Sequence, residues 1–321
     1  MAFRPTLLAA AAVLPSLLAA CGGDDGNVIP EGTHYHYVAN KVFVPTTNTQ
    51  AREYGLDLNK DGTVDNQLGM VLSTLGSMGF DIQTTIDTAV KEGSIILLAD
   101  FQTKDFTNTT AAGVQIFLGD KATAMPAPCS STTDMVCAHH LDGTGMFTIS
   151  ASSPTNAALG GKIVNGTFNG GPGDLSLQIA LGGTQAIQLD LIGARAKGSG
   201  ITDSQIGTAS SGGIVFGGAI TKDDIDNKVI PAIQTQLVPI ITRDCPTATA
   251  PTCVCTAETT GKTILGLFDA NDDCMVTVDE IKTNSLIVSL LSPDVTINGK
   301  MALSLGIKAT AVKATYTVAG Q

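Results

Sequence analysis

Apolar and polar residues change rhythm several times along the chain, and each change marks an element. His34 to Pro45 (HYHYVANKVFVP) alternates with a period of two, the pattern of a half-buried strand. Leu68, Val71, Leu72 and Leu75 then fall at i, i+3, i+4 and i+7, which predicts a helix. Asp81 is a fitting N-cap for a second helix, with Ile82, Ile86, Ala89 and Val90 on one side. From Gly93 to Phe216 the rhythm is that of strands. Ser94–Phe101 reads as a mostly buried strand with Val114–Leu118 as its neighbour; Gly145–Ser150, Lys162–Phe168, Leu175–Leu181 and Ala186–Ile192 follow. Gly-Gly, Gly-Pro-Gly and Asn-Gly turns separate these runs.

Helical spacing returns at Thr221, a capping residue with Asp224 three positions on. Ile225, Val229, Ile233 and Leu237 recur every four residues; Pro231 is expected to kink this helix and Pro239 to end it. A proline- and threonine-rich loop from Thr242 to Thr260 leads to a helix carrying Ile264, Leu265 and Phe268. Ile281 opens another apolar stretch that continues to Leu291. Asp294, Thr296, Asn298 and Gly299 read as a turn, and Met301 to Val318 alternates again, as a strand returning to the main sheet. The pattern predicts an α+β fold, an antiparallel β-sandwich or partly closed barrel with helices at its edge. Its segments are 34–92 (strand, loop and helices), 93–241 (β-rich body ending in a helix), 242–292 (cysteine loop and helices) and 293–321 (C-terminal strand region).

Two acidic loops interrupt the helices. In Asp269–Glu280 (DANDDCMVTVDE), oxygen-bearing side chains stand at positions 1, 3, 5, 9 and 12: Asp269, Asn271, Asp273, Thr277 and Glu280. Met275 at position 7 supplies its carbonyl. A hard cation that takes six to eight oxygens is served by this spacing, which resembles the EF-hand calcium loop. One departure is Cys274 at position 6, where the sharp turn favours glycine. In Asp57–Asp65 (DLNKDGTVD), Asp57, Asn59, Asp61, Gly62 and Asp65 occupy positions 1, 3, 5, 6 and 9, with Thr63 at 7. It resembles dockerin-type and related calcium loops over these nine positions, but position 12 is Leu68, so the terminal carboxylate is missing. Both resemblances imply bound Ca2+, and in an exported domain, which meets calcium in many settings, its expected role is structural.

The N-terminus predicts export. Arg4 precedes an apolar run from Leu7 to Ala20 that is too short to span a bilayer. Leu18-Ala19-Ala20-Cys21 resembles the lipobox of bacterial lipoproteins, which implies a signal peptide over 1–20, a lipid anchor on Cys21 and a flexible tether over 21–33. The resemblance also implies membrane attachment in the cell envelope, and Gly22 after the cysteine favours the outer over the inner membrane. Six cysteines remain, an even count in an exported chain. Cys129 pairs with Cys137; among Cys245, Cys253, Cys255 and Cys274, a 253–255 bridge is geometrically poor and two connectivities stay open.

Charge and composition remove some functions. Net charge is −11 with no basic cluster, which argues against nucleic acid. The absence of tryptophan weakens a sugar-stacking module. His34 and His36 share a strand face and, with His139 and His140, form the sharpest enzyme candidate, a zinc hydrolase; no catalytic motif accompanies them. The expected function is a calcium-stabilised surface binding or adhesion protein with an envelope polymer or protein as partner. A carrier for a lipid or other apolar ligand and the zinc hydrolase are the alternatives.

Overall fold

The computed structural model describes residues 32–77, 82–131, 133–155, 157–179, 187–208, 210–247, 249–256 and 258–318. The expected signal peptide, Cys21 and most of the tether, together with Asp81, Leu181 and Ala186, lie outside these residues, as does the Leu75 side chain.

The strands are β1 (Thr33–Phe43), β2 (Leu97–Thr103), β3 (Thr109–Leu118), β4 (Ala158–Val164), β5 (Thr167–Ile179), β6 (Ile187–Ser199), β7 (Gln205–Ile206), β8 (Gly213–Thr221), β9 (Val295–Ile297) and β10 (Lys300–Lys313). β1 pairs with β2 on one side and with β10 on the other, and the order β1-β2-β3-β4-β5-β6-β8-β10 closes on itself through antiparallel pairs. The body is therefore a closed eight-stranded barrel, with the short β7 and β9 as outriggers on β10. Closure leaves the eight strands no open edge, which removes the template for edge-to-edge association.

Alternation decides what fills the barrel. Tyr37, Phe101, Val114, Leu159, Phe168, Leu191, Phe216, Leu305 and Ile307 belong to one buried cluster, while Lys162, Asp190 and Lys197 are exposed on the outside. That is the reverse of the distribution a lipid-embedded barrel carries. Phe101 and Phe168 meet edge to face at 5.0 Å. A cavity of about 40 Å³ remains among Ala39, Val42, Ala99, Val114, Ile214 and Phe216, room for one or two waters.

Strand direction sorts the connections. β1, β3, β5 and β8 end at one rim, where β2, β4, β6 and β10 begin. From that rim leave residues 44–96 with α1 (Asn48–Glu53), α2 (Gln67–Ser77) and α3 (Ile82–Lys91), and residues 222–299 with α4 (Lys222–Asp224), α5 (Ile230–Asp244), α6 (Thr260–Phe268), α7 (Val278–Thr283) and α8 (Ser285–Leu290). The opposite rim carries shorter turns and both ends of the barrel. Leu68, Val71, Ile86, Val229, Leu237, Ile264 and Ile281 continue the barrel's core, so the helices plug the first rim.

Several local expectations change. Lys162–Phe168 is two strands, not one: Asn165 (φ 49°) and Gly166 (φ 73°) form a tight hairpin turn between β4 and β5, as left-handed residues at both central positions demand. Gly145–Ser150 forms no regular strand. Met146 bridges Met125 and Thr315, and Ile149 bridges Gly119, so its backbone bonds are spread over separate partners. This segment covers a second cluster outside the barrel wall, with Val38, Leu98, Phe117, Phe147 and Tyr316. A π-helical turn at Ile225–Val229 absorbs the break at Pro231. Pro239, however, does not end its helix; α5 runs on to Asp244 because Leu237 and Ile241 are buried on both sides of it. Asn298 and Gly299 form the expected turn, between β9 and β10.

Candidate metal loops

The two acidic loops sit at the same rim of the barrel, between α1 and α2 and between α6 and α7. Four bonds to backbone amides match one for one. In the first, Asp57 Oδ1 accepts from Asp61 N (3.1 Å), Asp57 Oδ2 from Gly62 N (3.0 Å), Asn59 Oδ1 from Asp61 N (3.0 Å) and Asp61 Oδ1 from Thr63 N (2.8 Å). In the second, Asp269 Oδ1 accepts from Asp273 N (3.1 Å), Asp269 Oδ2 from Cys274 N (2.8 Å), Asn271 Oδ1 from Asp273 N (3.0 Å) and Asp273 Oδ1 from Met275 N (2.9 Å). Each Asn amide donates to the position-5 carboxylate at 3.1 Å. Backbone conformation matches as well. Positions 4 and 6 are left-handed in both: Lys60 (65°) and Gly62 (89°), Asp272 (57°) and Cys274 (67°). Cys274 thus adopts the glycine conformation despite its Cβ, a strained state that neighbouring structure must hold.

The missing position-12 carboxylate has a stand-in. In the second loop, Glu280 Oε1 accepts from the position-2 amide, Ala270 N, at 3.1 Å. In the first loop the equivalent amide, Leu58 N, donates to Asp65 Oδ2 at 2.8 Å. Asp65 at position 9 therefore makes the anchoring bond that Glu280 makes from position 12. Burial raises the Asp65 carboxyl above its ordinary value; the Leu58 N–H opposes this, and the charges of Asp61, Asp294 and Asp57 add to it. Bonds from Thr63 lower the exposed Asp61. The donors in both loops are oxygens of carboxylates, amides, a hydroxyl and carbonyls, the set that fits a hard divalent cation.

The second loop is tied down from several directions. Cys253–Cys274 bridges it to the preceding loop, and Cys245–Cys255 ties that loop to the end of α5. Cys253 and Cys274 approach Asp269, but as disulfide sulfurs they offer no thiolate to a metal. Gln234 of α5 donates to Val276 O at 3.1 Å, Asn284 to Leu267 O at 2.7 Å, and Val276 and Ile281 are buried. Glu280 and Thr277 form a capping box that starts α7. In the first loop Val64 is exposed, while Leu58 is buried against Val295, Ile297 and Ala302.

Asn66, which follows the first loop directly, is not singled out by the metal-loop spacing. Its Oδ1 accepts from Gly69 N (3.0 Å), capping α2, and from Gly306 N (2.7 Å) in β10; its Nδ2 donates to Ala51 O (2.9 Å) and Gly306 O (3.1 Å). Gly306 has no alternative here, since a Cβ would lie 2.1 Å from Tyr54 O. An Asn just before an apolar stripe is an N-cap signal that was available; its bonds to β10 were not.

The histidines do not gather into one site. His139, two residues past the loop closed by Cys129–Cys137, has its Nε2 3.0 Å from Asp134 Oδ2 within that loop. Ser130 N–H and O–H, then Val136 N–H and His139, hold Asp134 well below the usual carboxylate range. His140 is fully buried beside Phe147, and neither ring nitrogen meets a partner; burial lowers it to about 4. His34 and His36 stand instead on the outer face of β1 beside Asp100 of β2.

No protein-family model matches this chain, and no curated protein or solved structure matches it.

Proposed function

We propose that this chain is a calcium-stabilised lipoprotein of the cell envelope that acts as a surface binding or adhesion protein, calcium serving a structural role. The observation that carries the calcium reading is the duplicated loop: two segments far apart in sequence share the same side-chain-to-backbone bonds and the same left-handed positions. Asp269, Asn271, Asp273, Met275, Thr277 and Glu280 would hold one ion, and Asp57, Asn59, Asp61, Thr63 and Asp65 the other. A bound cation would offset the mutual repulsion of these carboxylates and clamp the helices at one rim. Sensing would require the second loop to swing open, and the Cys253–Cys274 bridge opposes that movement.

Topology supports an orientation. β1 starts at the rim opposite the acidic loops. A lipid on Cys21 would therefore join the barrel at the short-turn rim, through at most about 45 Å of extended tether, and the looped rim would face outward to a polymer or protein. The apolar-carrier alternative finds little support in the barrel cavity beside Ala39, Val42 and Phe216, which among the described residues has a volume of about 40 Å³.

The test is thermal unfolding in calcium and in chelator. At ten times its Kd, calcium adds RT ln 11 per site, about 1.4 kcal/mol; this corresponds to a rise of roughly 3–6 °C at the 2–4 °C per kcal/mol of large domains. Glu280→Gln should remove most of one site's share in calcium; in chelator it should lose only the one bond, to Ala270 N or Thr277 N, that a single amide oxygen cannot keep. A melting temperature indifferent to calcium sinks the structural reading. The adhesion reading is checked by binding to whole cells, which chelator should abolish, and the anchor by palmitate labelling, which Cys21→Ser should abolish.

A further inference from the structure

We propose that His34, His36 and Asp100 form a site for one divalent transition-metal ion of the zinc type, distinct from the calcium loops. Alternation along β1 places both imidazoles on the outside of the barrel, and the register with β2 sets His36 opposite Asp100 and His34 opposite Gln102. His34 Nδ1 lies 2.8 and 3.1 Å from the two Asp100 oxygens, and His36 Nε2 lies 3.8 Å from Oδ1. The three donor atoms fall within 4.8 Å of one another. Around zinc, with bonds of about 2.0–2.1 Å, tetrahedral donors stand about 3.3 Å apart, so these groups need shift by about 1 Å or less to close on an ion.

The surroundings suit a ligand set. Asp100 is completely buried although it stands on the outer face of the wall. Gln102 Nε2 donates to its Oδ2 at 3.2 Å, and the His36 ring stacks on the buried Tyr316 at 4.4 Å, which fixes its orientation. Such contacts with neighbouring groups orient a ligand for the metal. The imidazoles keep 34% and 20% of their side-chain surface, so one side of the site opens to solvent, where water completes the coordination. Two imidazoles and one carboxylate select zinc or a neighbouring transition ion over calcium, which takes oxygen donors. The two metal chemistries thus occupy separate places: all-oxygen loops at the helical rim, and a nitrogen-rich cluster on the barrel wall next to the start of β1.

The test is zinc titration by calorimetry on the full chain, purified with a histidine-free tag and held in excess calcium so that the loops do not compete. One zinc should bind with a Kd of about 10 μM or tighter. His34→Gln and His36→Gln should each weaken it at least tenfold, whereas His139→Gln should leave it unchanged. Cobalt added in place of zinc should give visible absorption bands that both variants lose. The proposal is overturned by a zinc Kd weaker than about 100 μM, or by binding that survives both substitutions. Calcium-dependent melting of each variant, unchanged from the parent, separates lost ligation from lost folding; a variant that fails this control is replaced by the asparagine at the same position, for which the same two outcomes apply.

Discussion

Asn66→Ala tests how the first acidic loop is joined to the barrel. The side chain is buried and makes four bonds, to Gly69 N, Gly306 N, Ala51 O and Gly306 O, at 2.7 to 3.1 Å. At about 1 kcal/mol net for each bond, and with the helix cap counted among them, the substitution should cost about 4 kcal/mol. Small movements or an entering water would lower this to no less than about 2 kcal/mol. The loss is a large share of a typical folding free energy. Urea unfolding at fixed calcium is the assay, read as a fall in the midpoint at constant slope. Asn66→Asp sharpens the result. It keeps both acceptor bonds but turns a carboxylate oxygen towards two carbonyls, so it should be destabilised too, although the helix cap survives. A cost below about 1 kcal/mol for Asn66→Ala would refute the reasoning, because it would mean that the bonds to β10 contribute nothing that water does not replace.

Two further outcomes follow from titrating groups. Asp65 has a carboxyl raised by burial, so its ionised form is disfavoured in the folded state; that cost is present above the folded pKa and is relieved as pH falls through it. Asp65→Asn, whose Oδ1 can still accept from Leu58 N, should therefore melt higher than the parent in chelator at pH 7 and gain less from calcium; a lower melting temperature in chelator contradicts this. His140 is lowered from 6.5 to about 4, so the unfolded chain binds the extra proton first, and the stability from keeping it neutral is full above pH 6.5 and is lost as pH falls towards 4. That loss is at most about 3 kcal/mol. His140→Leu should match or exceed the parent at pH 7, since no hydrogen bond is removed, and lead it by a growing margin down to pH 4; parallel pH profiles for the two proteins would rule this out.

The parts of the fold that were legible are those built from neighbours in sequence. Within each acidic loop the bonds shared by both connect residues at most five apart, and the anchoring bonds of Asp65 and Glu280 span seven and ten, so spacing alone shows which side chain meets which amide. The stripe of Leu68, Val71 and Leu72 and the cap at Thr221 are legible for the same reason, as are the Cys129–Cys137 loop and the turn at Asn298-Gly299. Even the return of the C-terminal strand follows from its alternation. Misreadings arose where local rules compete: Asn165-Gly166 outranked the apolar run around it, and packing of Leu237 and Ile241 outranked Pro239.

Other features depend on which distant segments become neighbours. Closure of the barrel rests on β1 pairing with β10, and either disulfide connectivity satisfied the spacing until the approach of α5 and the second loop selected 245–255 and 253–274. Asn66 bonds to Gly306 across 240 residues. Asp100 reads in sequence as one acid in an apolar strand; only the register of β1 on β2 brings it between His34 and His36. The sequence by itself determined the chemistry each segment can offer, because a short segment carries its own hydrogen-bond partners. The tertiary structure decided which of those chemistries share a site, because strand register and chain closure are set by the packing of the whole core.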